Sequence, residues 1–313
     1  MKEIKINFVD FWPGFDKTNN YFYNLLIQKY KVILDDSPDL LFYSCYNKDY
    51  LKYNCKRIFY TAENTRPDFL ACDFAFSFDY NDRKNHFRLP LYSMYVELLG
   101  LLDKLETLPT REEARKIWRA KTKFCCMVVS NPNSPKRLAF FDTLSQVKRV
   151  DSGGSVLNNV GGRVPNKADF IKDYKFVLSF ENSAYDGYTT EKIMEPIHAD
   201  CIPIYWGNKL VDQDFNAGRF LDYHKFASEK ELIDCMLEID QNEELAIDML
   251  MQPTFSPDRL PHEAERERVL HILDTIMEHP GKPIARQWLR HVLKAKLFYE
   301  KNKKRITTRF KLT

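Results

Sequence analysis

The chain has 313 residues, of which 44% are hydrophobic and 29% are charged. A chain of this length can bury more than one hydrophobic core, so a single small domain is excluded, and the composition is that of a soluble globular protein. The formal net charge of +3 is uneven: residues 282–313 hold eleven Lys or Arg and one acidic residue, so this tail carries +10 and the rest of the chain −7.

The seven cysteines form an odd set without C-x-x-C pairs, which predicts reduced core residues rather than a disulfide framework or a zinc site. His86, His198 and His224 also lack the spacing of metal ligands, so no metal site is predicted. The amino-terminal residues alternate like a first strand, and no apolar run approaches 18 residues. A cytoplasmic location is therefore expected.

The first third of the chain alternates short apolar runs with amphipathic stretches, which predicts a parallel α/β sheet. Strands are predicted at residues 5–10, 31–34, 40–44, 56–60 and 74–78. A helix is predicted within residues 19–30, where Tyr21, Tyr23, Leu25 and Leu26 have the spacing of one helix face. The charge-rich segment 101–120 ends the alternation, so we place an interdomain linker there.

A second group of strands and helices follows the linker. Strands are predicted at residues 123–130, 146–150, 176–180 and 201–205, and helices at residues 229–250 and 261–278. We therefore predict an α/β domain at residues 1–118, a second α/β domain at residues 119–281 and a basic tail at residues 282–313.

The tail places apolar residues on one side of a helix over residues 287–299 and Lys and Arg on the other. A basic amphipathic helix of this kind suits adsorption to an anionic membrane surface. The alternative is a helix docked on the protein and followed by a solvated tail. Nucleic acid is not expected as a partner, because no fold for reading bases is recognisable.

Residues 174–207 are predicted to form a strand, a polar loop, a short helix and a second strand. In such a βαβ unit the loop opens at the carboxyl edge of the sheet, and the helix directs its free N–H groups and positive dipole end towards it. An anion is therefore expected at residues 188–192.

This stretch resembles the donor-binding motif of the bacterial α1,3-fucosyltransferases, which use GDP-fucose. The resemblance is carried by residues 180–183, Tyr188, residues 190–192, residues 202–204 and Gly207. It implies a glycosyltransferase B (GT-B) architecture with two Rossmann-like domains facing a cleft. The first domain would bind the acceptor and the second GDP-fucose.

The resemblance also implies roles for individual residues of the donor site. Arg137 and Lys192 would contact the diphosphate, Glu191 the ribose hydroxyls, and Asn182 and Tyr188 the fucose or phosphate.

Arg137 is also favoured without the resemblance. It follows a turn-rich loop in the first turn of a predicted helix, where a guanidinium can reach an anion, although an exposed surface charge is the alternative. Lys136 is its nearest rival. Glu181 is either an acid behind the site or one that faces the fucose as positive charge develops on it.

Glu63 is the candidate general base. It lies in the loop after the strand that ends at Tyr60, where fucosyltransferases have a Tyr-Thr-Gly-Glu-Asn type segment whose Glu is the proposed base. This chain has Ala62 at the position of the Gly, which matters only if the backbone needs a positive φ there. A solvated side chain is the alternative for Glu63.

The resemblance implies an inverting α1,3-fucosyltransferase that transfers L-fucose from GDP-β-L-fucose to the GlcNAc of N-acetyllactosamine-type glycans, forming a Lewis-type antigen of a bacterial surface polysaccharide. The alternatives are a GT-B enzyme that uses another nucleotide sugar and a non-catalytic, membrane-attached glycan-binding protein. No cofactor is expected beyond the donor, and a divalent cation is expected at most to stimulate. We expect a cytoplasmic protein that is peripheral to the inner membrane through its basic tail.

Overall fold

The computed structural model describes residues 1–279 and 281–310, with side chains as far as Lys303 in the last helix. The chain folds into two compact units. Met1–Leu89 form the first unit together with the chain from Pro261 onward, and Pro90–Leu260 form the second. Each unit contains one parallel sheet, which confirms the predicted α/β fold class.

All strands that are neighbours in a sheet pair in parallel, in the orders β2-β1-β3-β4-β5-β6 and β11-β10-β9-β7-β8. The strands are β1 (Lys2–Val9), β2 (Tyr30–Leu34), β3 (Leu40–Tyr43), β4 (Lys56–Tyr60), β5 (Phe74–Ser77), β6 (His86–Arg88), β7 (Lys123–Met127), β8 (Val150–Ser152), β9 (Tyr174–Phe180), β10 (Ile202–Trp206) and β11 (Leu221–Asp222). β3 and β5 are buried along their whole length, which explains why their sequences are continuous apolar runs.

The helices connect and cover these strands. They are α1 (Tyr21–Leu26), α2 (Leu91–Leu98), α3 (Leu102–Glu106), α4 (Arg111–Ala120), α5 (Pro135–Val147), α6 (Lys167–Ile171), α7 (Glu191–His198), α8 (Glu229–Gln241), α9 (Glu243–Leu250), α10 (His262–Glu278) and α11 (Leu289–Phe310). The seven cysteines are free, and five of them are buried, as expected for reduced core residues.

Both sheets change winding direction beside their first strand. The chain passes from β1 to β2 on one side, whereas β3 and the strands after it lie on the other side of β1. β7, β8 and β9 repeat this arrangement in the second unit. Adjacent connections that leave in opposite directions open a crevice at the carboxyl edge, so ligand sites are favoured beside β1 and β3 and beside β7 and β9.

The structure divides the chain differently from the predicted boundaries at residues 118 and 281. The segment 101–120 is not a linker: it contains α3 and α4, and Trp118 of α4 is buried in the core of the second unit. α10 belongs to the first unit, where Tyr30 donates a hydrogen bond to Asp274 at 2.6 Å.

The apolar residues of the basic tail do not share one surface. Leu293 of α11 is buried in the first unit and Leu297 packs beside it, whereas Trp288 and Phe298 are exposed. Residues 311–313 and the side chains of residues 304–310 lie outside the described part of the tail. Within the described residues, no helix combines the length and the apolar character needed to cross a membrane.

Candidate functional site

Two helices begin at the crevice between β7 and β9. α5 begins at Pro135, after the loop that leaves β7, and α7 begins at Glu191, after the loop that leaves β9. Free N–H groups and the positive ends of two helix dipoles favour an anion at this edge. The anion position expected at residues 188–192 coincides with the start of α7.

Arg137 connects the two loops. It lies in the first turn of α5 and is only 1% exposed. Its guanidinium donates to the carbonyl oxygen of Phe180 from Nε (3.2 Å) and Nη2 (2.8 Å), to the carbonyl oxygen of Asn131 from Nη1 (3.2 Å), and to Oδ1 of Asn182 from Nη2 (2.8 Å). These bonds use four of the five guanidinium N–H donors, so the plane of the group is fixed.

The partners of the Arg137 guanidinium in these four hydrogen bonds are carbonyl and amide oxygens, and none of them is a carboxylate. Burial lowers the pKa of Arg137, and the charge of Glu181 opposes that shift. Lys136, the rival cation, forms an ion pair with Glu229 at 2.9 Å and lies over the ring of Tyr223. Of the two cations, the structure therefore directs Arg137 towards the loops at the crevice.

Glu181 is fully buried at the centre of a hydrogen-bonded network. Its carboxylate accepts from the backbone N–H of Thr190 at 2.8 Å, from Thr190 Oγ1 at 2.9 and 2.8 Å, and from Lys192 Nζ at 3.0 Å. A buried carboxylate requires such partners, and Lys192 supplies the counter-charge. Of the two interpretations of Glu181, its burial favours the acid behind the site.

Glu191 and Lys192 remain partly accessible in the first turn of α7, with side-chain exposures of 22% and 17%. Burial disfavours ionisation of Glu191, but Lys192 and Lys167 outweigh it, so the pKa of Glu191 lies below its usual value. Burial also disfavours the charged form of Lys192, whereas Glu181 and Glu191 raise the pKa of Lys192 above its usual value. Both side chains are therefore charged at neutral pH.

The other two predicted donor residues differ in accessibility. Asn182 is partly exposed and accepts from Arg137 through Oδ1, which leaves its NH2 group as a donor. Tyr188 is buried, with an exposure of 3%. Its backbone N–H donates to the carbonyl oxygen of Tyr185 at 3.0 Å, closing a turn in the loop.

Two residues after β10 support this loop and were assigned no role from the sequence. Asn208 is fully buried, accepts from the backbone N–H of Gly187 at 2.7 Å and donates to Thr189 Oγ1 at 3.0 Å. Gly207 packs against Glu181, because an added Cβ would lie 2.6 Å from the Cγ of Glu181. A Gly-Asn pair at the carboxyl end of a strand is a turn signal that could have pointed to them.

The predicted base Glu63 lies in the first unit, in the loop after β4. Its side chain is exposed, and its Oε1 accepts a hydrogen bond from the hydroxyl of Tyr46 at 2.7 Å. The backbone N–H of Glu63 donates to Thr61 Oγ1 at 3.1 Å, which shapes the loop. Ala62 is not among the residues with positive φ, so its Cβ causes no backbone strain.

Among the residues that the structure describes, no group of three or more His, Cys, Asp or Glu side chains is arranged to hold a metal ion. The charged groups at the β7–β9 edge are instead Arg137, Lys192, Glu181 and Glu191. Cations and helix amino ends at the carboxyl edge of a parallel α/β sheet favour a ligand that carries phosphate groups, such as a nucleotide.

Comparisons with known proteins identify the family. The model of the α-(1,3)-fucosyltransferase FucT N-terminal domain matches residues 6–95, and that of the C-terminal part of glycosyltransferase family 10 (fucosyltransferase) matches residues 118–248. The α-(1,3)-fucosyltransferase FucT of Helicobacter pylori is 34% identical over 271 residues, which cover 75% of this chain and 56% of that protein. The chain thus spans little more than half the length of that relative.

Solved structures agree with the family models. A crystal structure of an α1,3-fucosyltransferase has a TM-score of 0.78 and 29% identity, covering 91% of this chain and 92% of that one. A crystal structure of α1,3-fucosyltransferase with GDP-fucose has a TM-score of 0.75 and 30% identity, covering 90% of this chain and 92% of that one. The chain belongs to the α1,3-fucosyltransferase family, which confirms the resemblance seen in the sequence.

Proposed function

We propose that this protein is an inverting α1,3-fucosyltransferase that transfers L-fucose from GDP-β-L-fucose to the GlcNAc of N-acetyllactosamine-type glycans. The observation that carries the donor assignment is the convergence of the amino ends of α5 and α7, with Arg137 and Lys192, at one crevice. Negative charge grows on the diphosphate as the bond to fucose breaks. Helix N–H groups and fixed cations stabilise that charge.

The side chains then have distinct roles in donor binding. Lys192 and the remaining N–H of Arg137 contact the diphosphate, and Glu191 accepts hydrogen bonds from the ribose hydroxyls. The NH2 group of Asn182 donates to the fucose or the phosphate. Glu181 does not touch the donor but holds Lys192 and the start of α7 in position.

Glu63 is the general base of the proposed reaction. The acceptor hydroxyl oxygen attacks the anomeric carbon of fucose while the bond from that carbon to the β-phosphate oxygen breaks, and GDP leaves with the electron pair. The hydroxyl proton passes to the carboxylate of Glu63. A single displacement converts the β-linked donor into an α-linked product, so one base is sufficient.

We propose that no cofactor is required beyond the donor. Arg137, Lys192 and the helix N–H groups supply the positive charge that the diphosphate needs, and a divalent cation acts at most as a stimulator. Transfer should therefore persist in EDTA. Complete loss of transfer in EDTA, restored by added Mg²⁺ or Mn²⁺, would show that the reaction needs a metal.

The proposed activity is tested with GDP-fucose and either N-acetyllactosamine or its isomer lacto-N-biose, following GDP release and the linkage and anomeric configuration of the product. α-linked transfer to the GlcNAc O3 of N-acetyllactosamine is expected. Transfer only from GDP-mannose or a UDP-sugar would overturn the donor assignment. Glycan binding without transfer from any of these donors would favour a non-catalytic binding protein.

The variant Glu63→Gln tests the role of Glu63 as general base independently of donor binding. It is expected to lower kcat by about 10²–10⁴-fold, the usual contribution of a general base, and to leave GDP affinity unchanged. Undiminished turnover would remove Glu63 from this role.

We also propose that the protein is cytoplasmic and binds the anionic face of the inner membrane through α11, beside the lipid-linked glycans that would serve as its acceptors. Leu293 and the 2.7 Å ion pair of Lys296 with Asp68 dock the helix, while Trp288 and Phe298 remain 71% and 70% exposed. Exposed aromatic rings beside Lys and Arg suit a membrane interface.

Vesicle sedimentation tests the membrane proposal. Binding to vesicles that contain phosphatidylglycerol is expected, and it should weaken in high salt and in Trp288→Ala/Phe298→Ala. Equal sedimentation with neutral phosphatidylcholine vesicles, or none with either kind, would contradict the proposal.

A further inference from the structure

A second crevice lies at the carboxyl edge of the first sheet, between β1 and β3. The loop after β1 carries Trp12, and the loop after β3 carries Tyr46. Their ring centroids are 6.5 Å apart with an interplanar angle of 67°, and the two residues are 36% and 44% exposed. Glu63, in the next loop along the sheet, accepts the hydrogen bond of Tyr46.

The two loops are locked together by Asp10. This residue has a φ of +62°, a left-handed conformation that costs energy for a residue other than glycine. Its buried carboxylate accepts from the backbone N–H groups of Asp49 and Tyr50, both at 2.9 Å, and its carbonyl oxygen accepts from the backbone N–H of Tyr46 at 3.0 Å. These hydrogen bonds hold the loop after β1 against the loop after β3.

Further aromatic packing stabilises the loop after β1. Phe11 stacks on Phe15 with centroids 4.1 Å apart, and the ring of Trp12 meets Phe15 edge-on at 5.0 Å. The side chain of Trp12 is therefore restrained by packing against Phe15. A rigid aromatic side chain loses little conformational entropy when a ligand binds.

We propose that Trp12 and Tyr46, whose ring planes are inclined to each other, form an angled aromatic platform that holds a pyranose ring of the acceptor glycan next to Glu63. The proposal rests on the proposed function and adds the acceptor subsite to it. The face of an aromatic ring is negative and complements the weakly positive C–H groups of a sugar face. The sugar hydroxyls at the edge of the ring remain free to hydrogen-bond, and one of them is deprotonated by Glu63.

Tyr46 has a second role as a positioning residue. Its hydroxyl donates to Oε1 of Glu63, which orients an otherwise exposed carboxylate. Burial and the neighbouring carboxylate of Glu63 raise the pKa of Tyr46, so the hydroxyl keeps its proton and remains a donor. Loss of the hydroxyl should therefore affect turnover, whereas loss of the ring should affect acceptor binding.

Steady-state kinetics with N-acetyllactosamine and GDP-fucose test both roles. Trp12→Ala is expected to raise the acceptor KM at least about tenfold, with the GDP-fucose KM unchanged, and Trp12→Phe should restore part of the loss. Tyr46→Phe keeps the ring, so kcat should fall about tenfold while the acceptor KM stays near that of the wild type. Tyr53→Ala is the control, because Tyr53 is a partly exposed aromatic residue that precedes β4 and therefore lies at the amino edge of the sheet, opposite the loops that carry Trp12, Tyr46 and Glu63.

An acceptor KM within twofold of the wild type in both Trp12→Ala and Tyr46→Ala would overturn the platform, and an unchanged kcat in Tyr46→Phe would overturn the positioning role. Thermal melting and GDP binding show whether each variant is folded. If the wild type transfers no fucose, the proposed function fails, and direct titration of N-acetyllactosamine into wild type and Trp12→Ala decides the platform alone. Equal affinity in that titration would overturn it, and at least tenfold weaker binding by the variant would support it.

Discussion

Replacing Lys192 by Met tests whether the proposed diphosphate ligand is also the counter-ion of a buried acid. Met keeps the length of the side chain but removes the charge 3.0 Å from the fully buried carboxylate of Glu181. Breaking a buried ion pair costs about 3–5 kcal/mol. Because Thr190 still donates to Glu181 and Lys192 is itself 17% exposed, we expect the lower end of that range. For a unit of this size, about 3 kcal/mol corresponds to a melting temperature lower by about 6–12 °C.

A second variant separates the structural role from the ligand role. In Glu181→Gln/Lys192→Met the buried charge is gone but an oxygen acceptor for Thr190 remains, so at least half of the lost stability should return. GDP affinity should stay low in both variants, because the cation is still missing. Thermal melting and titration with GDP measure the two effects, and Lys172→Met serves as a control because Lys172 pairs with Asp169 only at the exposed surface.

The reasoning would be refuted if Lys192→Met melted like the wild type, since the pair with Glu181 would then contribute nothing. It would also be refuted if the double variant regained both stability and GDP affinity, because Lys192 would then have no part in binding the diphosphate.

Three further predictions follow from the geometry. Gly207→Ala forces a Cβ to within 2.6 Å of Glu181 and should weaken GDP binding at least tenfold by titration, whereas unchanged affinity would mean that Glu181 does not hold the site. Arg137→Lys loses the forked contacts to Phe180 and should lower both the melting temperature and GDP affinity; a normal melting temperature would contradict its role in joining the loops. Burial, followed by the charge of Arg88, lowers the pKa of His86 to about 4. As the pH falls, His86 is therefore protonated in the unfolded state at a higher pH than in the folded state. The free energy of unfolding should therefore fall by about 1–3 kcal/mol as pH drops from about 6.5 to 4, and urea unfolding of His86→Gln should lack this part of the pH dependence.

Local patterns predicted the buried strands better than the exposed or short ones. Residues 40–43 and 74–77 are continuous apolar runs between turn signals, and both are central strands of a parallel sheet. His86–Arg88 was not predicted as a strand, because three partly exposed residues carry no periodicity. Of the strand predicted at residues 146–150, only Val150 lies in β8, whereas residues 146 and 147 end α5 and the two residues between connect the elements.

Cap residues explain another difference between prediction and structure. The single helix predicted over residues 229–250 is two helices, and Asn242 lies at the junction. Its backbone ends α8, and its side chain accepts from the backbone N–H of Glu244 to begin α9. Asparagine is a favoured N-cap residue, so this break carried a signal in the sequence.

The division into units could not be read from the sequence, because it depends on contacts between distant residues. Tyr30 and Asp274 are 244 positions apart, yet their hydrogen bond joins α10 to the first sheet. The sequence around each of these two residues gives no indication of the pairing. The segment 101–120 is predicted as a linker because it is charge-rich and ends the alternation of apolar runs, whereas its capping box at Thr110 and buried Trp118 show a helix packed on the second unit.

Most residues of the candidate donor site are contiguous in the sequence, so one local motif was enough to propose them. Residues 181–192 form one loop and one helix start, so a single motif names them. Arg137 was found through the resemblance and its place in a first helical turn. Gly207 and Asn208 reach the same loop from another strand, and nothing in the motif indicates that Asn208 holds the backbone of Gly187.

The strand order explains how residues outside the motif reach the same edge of the sheet. In the second unit, Arg137 follows the first strand, Glu181 and Lys192 follow the third, and Asn208 follows the fourth. The first unit repeats the order, so the equivalent positions are the loops after β1, β3 and β4. Those loops carry Trp12, Tyr46 and Glu63. Because a parallel sheet brings these connections to one edge, the topology that assembles the candidate donor site from separate segments also explains why Trp12, with no motif of its own, lies near the candidate base.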